Sequence, residues 1–288
     1  MDLMLISGRP RMDVRDLERK SIEYRRTILR IIKNANAGHT GGSLSCIDIL
    51  NVLYNQVMAV SPENFHDPDH DRYIQSKGHS VEALYTVLAD RGFFNPADLD
   101  SLCHYQSDYV GHPTRKVNGI EHNTGALGHG LSVAVGLALA AKMDHRPYRV
   151  FVLLGDGELA EGSNWEAAMS AARFHLDNLI AIVDRNRLQI SGPTEEITGL
   201  EPLVEKFNAF GFTARSIDGH NFTELVDALS QTPYQSGQPN LVVANTTKGK
   251  GIRFMENAVD WHHHVPTDEE YADALAELDL REAAIGVS

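Results

Sequence analysis

Two short apolar runs, residues 150–154 and 179–183, constrain this chain most. Each has the length of a buried strand, and helix formers fill the stretch between them to about residue 176. Ser163-Asn164-Trp165-Glu166 has the spacing of a capping box and predicts the start of that helix. Strand, helix and strand in this order predict parallel neighbours joined by a right-handed crossover. Gly155-Asp156-Gly157 follows the first strand and Asn186 follows the second. Both lie just past carboxyl ends, where open α/β sheets bind ligands. A carboxylate and an amide oxygen, beside glycines that let backbone approach phosphate, form a hard oxygen site suited to Mg²⁺ shared with a diphosphate. Alone, the same residues read as a tight turn and the start of a loop. The rest of the chain separates the two readings.

The flanking pattern extends the α/β reading. Residues 14–33 carry Val14, Leu17, Tyr24, Ile28, Ile31 and Ile32 as an apolar stripe among charges, which predicts a helix. Residues 34–43 read as a Gly-rich loop, and residues 45–57 as a helix capped by Ser45 with Asp48 in its first turn. A strand at 72–75 and a helix at 81–90 follow. Residues 104–130 are long, rich in Gly and His and aperiodic; a loop of that length in a compact domain is either functional or a misread element. The helix at 131–143 is apolar on nearly every side, which predicts burial. Then come a helix (202–210), a strand (213–217), a helix (222–229), a strand (241–245) and a final helix (268–284). No repeat or linker divides residues 1–288, so a single doubly wound α/β domain is expected: a mainly parallel sheet with helices on both faces. Turns at 76–79, 155–157 and 246–251 then bring Lys77, His79, Asp156 and Lys248 to one edge of the sheet. Two ammonium groups, an imidazole and a metal-binding carboxylate suit a diphosphate.

Composition excludes several classes. An apolar fraction of 42% and a charged fraction of 23% are ordinary for a globular protein. A net charge of −13 argues against general binding to nucleic acid or anionic membranes. No apolar run is long enough to span a bilayer, and the N-terminus lacks the basic segment of a secretory signal. Cys46 and Cys103 alone cannot form a disulfide framework and suit a reducing compartment, so a cytoplasmic location is expected. Of the 14 histidines, several follow glycine: His39, His79, His112 and His129. Such pairs place imidazoles beside unobstructed backbone, as in a polar site lined by loops.

Gly155-Asp156-Gly157, a 28-residue spacer and Asn186 resemble the diphosphate and Mg²⁺ motif of the thiamine diphosphate enzymes. The text from Gly155 to Ala167 is similar to the transketolase form of it. So are Ala37-Gly38-His39, Ser76-Lys77-Gly78-His79, Gly111-His112-Pro113, Gly125-Ala126-Leu127-Gly128 and Trp261-His262, in the family's order over nearly the whole chain. The resemblance implies that Asp156, Asn186 and the Leu188 carbonyl bind Mg²⁺. It implies that His79, Lys248 and the Gly157 backbone hold the diphosphate with Lys77 nearby, while Gly125, Ala126 and Leu127 contact the cofactor through backbone. His39, His112 and His262 would face the substrate and move protons, work suited to histidine near neutral pH. Glu161 would join an acidic relay between paired active sites, with stabilisation of a helix N-terminus as its rival role. After Trp261-His262 the family commonly has Gly; here His263 and His264 follow, a triplet that could also hold a stray divalent metal.

The resemblance covers only the amino-terminal, diphosphate-binding domain of a full transketolase. A pyrimidine domain with its activating Glu has no counterpart in 288 residues. A second chain is therefore expected to supply it, in a heterotetramer with active sites between unlike chains. Two-carbon ketol transfer from a ketose to an aldose is the leading reading. The alternatives are another thiamine diphosphate reaction, such as 1-deoxyxylulose-phosphate synthesis, and a non-catalytic role as a cofactor-binding or regulatory subunit.

Overall fold

The computed structural model describes residues 12–285; the stretch tested for a secretory signal lies outside them. Helix α1 (Val14–Ala35) starts at Asp13, whose side chain accepts the Asp16 N–H, and stops at Asn36 in the left-handed conformation. Its buried stripe includes Leu17, Tyr24, Ile28, Ile31 and Ile32, while Val14 is exposed. Helix α2 (Thr40–Val52) runs into a π-turn, Leu53–Val57. Strand β1 (Arg72–Gln75) and α3 (Val81–Asp90) follow, then α4 (Gly130–Met143), β2 (Val150–Gly155), α5 (Gly162–Arg173) and β3 (Leu179–Arg185). A small hairpin, β4 (Leu188–Gln189) and β5 (Gly192–Pro193), leads to α6 (Thr194–Ile197) and α7 (Leu203–Ala209). The chain closes with β6 (Thr213–Asp218), α8 (Phe222–Ser230), β7 (Asn240–Asn245) and α9 (Asp268–Ile285).

Five strands form one sheet in the order β1-β2-β3-β7-β6, every pair parallel. The expected neighbours β2 and β3 pair from Val150 with Leu179 to Gly155 with Asp184. Because side chains alternate along a strand, the two faces bury different sets. Phe151, Leu153, Ile180, Ile182 and Val242 pack on one side with α1, α2, α3, α8 and α9. Val150, Val152, Leu154, Ala181, Val183 and Val243 pack on the other with α4, α5 and α7. Central strands buried on both faces read as unbroken apolar runs, which is why they were visible in the sequence. Among the described residues, no helix is long and apolar enough to cross a membrane.

Three expectations fail. The loop at 34–43 is shorter than expected, because α2 begins at Thr40; Ser45 lies inside that helix, where its hydroxyl donates to Asp184 Oδ2 at 2.6 Å with Gly42 O 3.0 Å away. Ser163 does not cap α5: the cap position is Glu161, without a side-chain cap bond, and Ser163 Oγ donates to the Gly128 carbonyl instead. Helix α4 is only half covered. Leu131, Ala134, Ala138 and Ala141 are buried, but Gly136 and Met143 face outward. The aperiodic loop at 104–130 does run without helix or strand as far as Gly130, with only turns.

Candidate active site

A cavity of about 420 Å³ opens at the carboxyl edge of the sheet. Its wall holds His39, Lys77, His79, Gly125, Leu127, Asp156, Gly157, Glu161, Asn186, Leu188, Lys248 and His262, so most of the residues singled out in the sequence meet there. Ala126 is exposed and stands outside this lining, between Gly125 and Leu127.

The strand ends set the oxygen donors. Asp156 follows β2, and the segment after β3 folds back over it. Its Oδ2 accepts the Arg187 N–H at 2.5 Å and a bond from Arg185 Nη1 at 3.0 Å, while Oδ1 accepts the Gly157 N–H at 2.8 Å. Asn186 Oδ1 takes the Leu188 N–H at 3.1 Å, which draws the Leu188 peptide into the same wall. Burial, then repulsion from Asp184, holds the Asp156 carboxyl above its ordinary range despite Arg185. A buried carboxylate whose Oδ2 is held by Arg185 and whose Oδ1 faces the cavity side, beside an amide oxygen and a main-chain carbonyl, fits a hard divalent cation. Among the described residues no cluster of three or more His, Cys, Asp or Glu could hold a metal. A site here would rest on one carboxylate with neutral oxygens.

Two glycines of the lining stand where a side chain would press on a neighbour. Gly125 has φ +148°, and a Cβ there would lie 3.0 Å from the His112 ring. At Gly157 a Cβ would press on Gln189 at 3.0 Å.

The two lysines differ. Lys77 is buried against Asp184 in a tight ion pair and donates to the Gly42 carbonyl at 3.0 Å. Its ammonium is part of the floor of the site. Lys248 Nζ reaches the Leu188 carbonyl at 3.2 Å and His262 Nδ1 at 2.7 Å. Burial, then the neighbouring Lys77, lowers it to about 8.

Imidazoles converge on His39. Its ring centroid lies 5.1 Å from His79, 5.6 Å from His262, 6.3 Å from His112 and 4.6 Å from His263. Burial, followed by nearby cationic groups, brings His39 to about 4 and His262 to about 3. His79 is held well below its ordinary value for the same reasons, and His112 is lowered by burial. At neutral pH these four rings are uncharged, each with one N–H and one bare nitrogen.

The histidine triplet does not form a metal claw. His262 faces Lys248, His263 stands edge-on to His39, and His264 packs on Trp261 with its Nε2 3.2 Å from Glu270. Consecutive side chains diverge here, so the stray-metal expectation for the triplet fails. Glu161 lines the rim from the N-terminal end of α5.

Several functional-looking groups escaped the sequence reading. Asp184, fully buried at the end of β3, accepts from Ser45, Lys77 and Thr246 and so ties three segments beneath the cavity. Glu158 accepts the Gly155 and Gly128 N–H groups and the Ser76 hydroxyl. Glu82 accepts the His39 N–H at 3.1 Å and the Ser43 hydroxyl at 2.7 Å, and burial lifts it to about 7. Arg185, fully buried, joins Asp156 to Thr194, Glu195 and Glu201. The available signal was charge inside or beside an apolar run, which marks a paired buried group without naming its partner.

Comparison with known proteins agrees with this geometry. Residues 17–282 match the family model described as transketolase, thiamine diphosphate binding domain. The chain is 47% identical over 270 residues to an apulose-4-phosphate transketolase subunit from Phocaeicola vulgatus, covering 94% of this chain and 96% of that one. It is 43% identical over 265 residues to the 6-deoxy-6-sulfo-D-fructose transketolase subunit SqwG of a Clostridium species, covering 92% and 96%. The transketolase of Campylobacter jejuni superposes with a TM-score of 0.82 at 30% identity, over 96% of this chain and 48% of that structure. The chain thus spans about half the length of such full transketolases. With its family domain matched from residue 17 to 282, and two subunits matched almost end to end, the chain belongs to the transketolase family as an N-terminal, thiamine diphosphate-binding subunit of the split kind.

Proposed function

We propose that this chain, as one diphosphate-binding domain, holds thiamine diphosphate with Mg²⁺ and works with a second chain that carries the pyrimidine domain. Together they transfer a two-carbon ketol unit from a ketose, or ketose phosphate, to an aldose or aldose phosphate. The carrying observation is one cavity that joins Asp156, Asn186, the Leu188 carbonyl and Lys248 to a cluster of imidazoles.

Asp156, Asn186 and the Leu188 carbonyl are the metal's protein ligands. Lys248, His79 and the Gly157 backbone hold the diphosphate, Lys77 adds fixed positive charge beneath it, and the 125–127 backbone contacts the cofactor. When bound, the cofactor supplies the electron sink for breaking and making the carbon–carbon bond. His39, His112 and His262 exchange protons with sugar hydroxyls. Because His262 Nδ1 is engaged by Lys248, its Nε2 is the atom that exchanges. Glu161 belongs to the acidic relay between paired sites of a dimer of heterodimers. Two free thiols, Cys46 and Cys103, suit action in the cytoplasm.

Names of two relatives support a sugar or sugar-phosphate substrate, and the naming of both as subunits of a transketolase supports a partner. The test is to purify the chain alone and with its partner and assay a ketose against pyruvate as donor. Ketol transfer from the ketose by the pair, with little from the chain alone, is expected. Full-rate transfer by the single chain, or a preference for pyruvate, contradicts the reading.

A further inference from the structure

Behind the turn that carries Lys248 lies a group of polar residues outside the cavity, Arg25 and Asp48 buried and His220 partly so. Arg25 from α1, Asp48 from α2 and His220 from the loop before α8 meet there. Arg25 Nη1 and Nη2 donate to the two Asp48 oxygens, each at 2.8 Å. His220 Nδ1 lies 2.8 Å from Asp48 Oδ2, and its Nε2 accepts the Thr247 N–H at 2.8 Å. An amide N–H only donates, so Nε2 carries no proton and the ring's hydrogen sits on Nδ1, facing Asp48. Arg25 Nε also donates to the Lys250 carbonyl at 2.8 Å. The turn is therefore gripped on both sides of Lys248, by its amide at 247 and its carbonyl at 250. Packing reinforces the grip: a Cβ at Gly251 would lie 2.8 Å from Arg25 Cδ.

Stability alone does not account for this arrangement. A buried ion pair roughly offsets its own desolvation, and apolar residues of similar volume often serve as well or better. Apolar residues cannot hold a backbone N–H and a backbone C=O at set positions. The lysine side chain is long and flexible, so the place its ammonium can reach depends on where the main chain starts. Helix α2 joins the two regions, with His39 at its N-terminal cap and Asp48 within it.

We propose that Arg25, Asp48 and His220 are positioning residues for Lys248, a buried brace that presets the 246–251 turn for the diphosphate. The proposal rests on the cofactor reading above and adds to it a requirement outside the cavity. The matching probe is Mg²⁺ with inorganic pyrophosphate, the part of the cofactor that this chain itself would hold.

Two readouts on the purified chain test it: calorimetric titration with this probe, and amide hydrogen exchange at Thr247 without ligand. His220→Phe removes both ring hydrogen bonds while keeping an aromatic ring. It should speed Thr247 exchange and weaken pyrophosphate binding by about tenfold, the scale of one hydrogen bond in the field of a charge. His220→Gln, whose amide oxygen can take the Thr247 N–H, should recover most of that affinity. Melting curves show whether each variant is folded, and Asp156→Ala should lose binding while leaving Thr247 exchange unchanged. Wild-type affinity in His220→Phe, or equal weakness in the Phe and Gln variants, overturns the brace. No binding by the unsubstituted chain overturns the cofactor reading, and the brace with it.

Discussion

The charge on Lys248 and the lack of charge on its neighbours are two sides of one arrangement. Burial keeps these rings neutral, and at His262 a protonated lysine 2.7 Å away adds to it. A diphosphate selects protonated Lys248, whose free-protein value is about 8. Affinity should be full below about pH 8 and fall as pH rises through it, with proton uptake on binding. Calorimetry in buffers of different ionisation heat reads both; a pH-independent affinity from about pH 6.5 to about pH 9 removes Lys248 from the diphosphate's partners. Asp156→Ala should abolish Mg²⁺-dependent cofactor binding in the assembled enzyme, and unchanged affinity would defeat the metal assignment. His262→Ala should slow turnover more than it weakens cofactor binding, as for a proton-moving group. Asp156, Asn186 and Lys248 were legible because each follows a recognisable apolar strand. Asp184, Glu82 and Arg185 were not, since their partners come from separate segments that only folding brings together.

At the scale of elements, periodicity found the strands and most helices. Strands at 150–154, 179–183 and 241–245 extend by a residue or two: by Gly155 at one end, by Asn240 at one start, and by Asp184 and Arg185, which a buried strand admits because both are paired. Helix starts were less legible. Gly41 and Gly42 disfavour a helix by propensity, yet α2 begins at Thr40 because packing requires small residues there: a Cβ at Gly41 would lie 2.7 Å from the Trp261 carbonyl. The expected cap at Ser163 failed for a related reason, its hydroxyl being taken by the Gly128 carbonyl. Strand β2 sits centrally between two packed faces, so Phe151→Ala should cost about 3–5 kcal/mol of folding free energy. Urea unfolding measures it; a loss under about 1 kcal/mol would mean the face relaxes around the void.

For the molecule as a whole, the most telling distance is the 28 residues that separate Gly157 from Asn186. From the tip of β2 the chain turns, descends one face as α5 over about 18 Å, and climbs as β3 over about 23 Å. The gap is thus the contour of a single descent and return along the length of the strands. Its chemistry sits only at the two summits. Lengthening the lower bend would leave those summits level, whereas one residue inserted within β3 would rotate every later side chain to the opposite face. The motif's regular spacing measures the height of a scaffold.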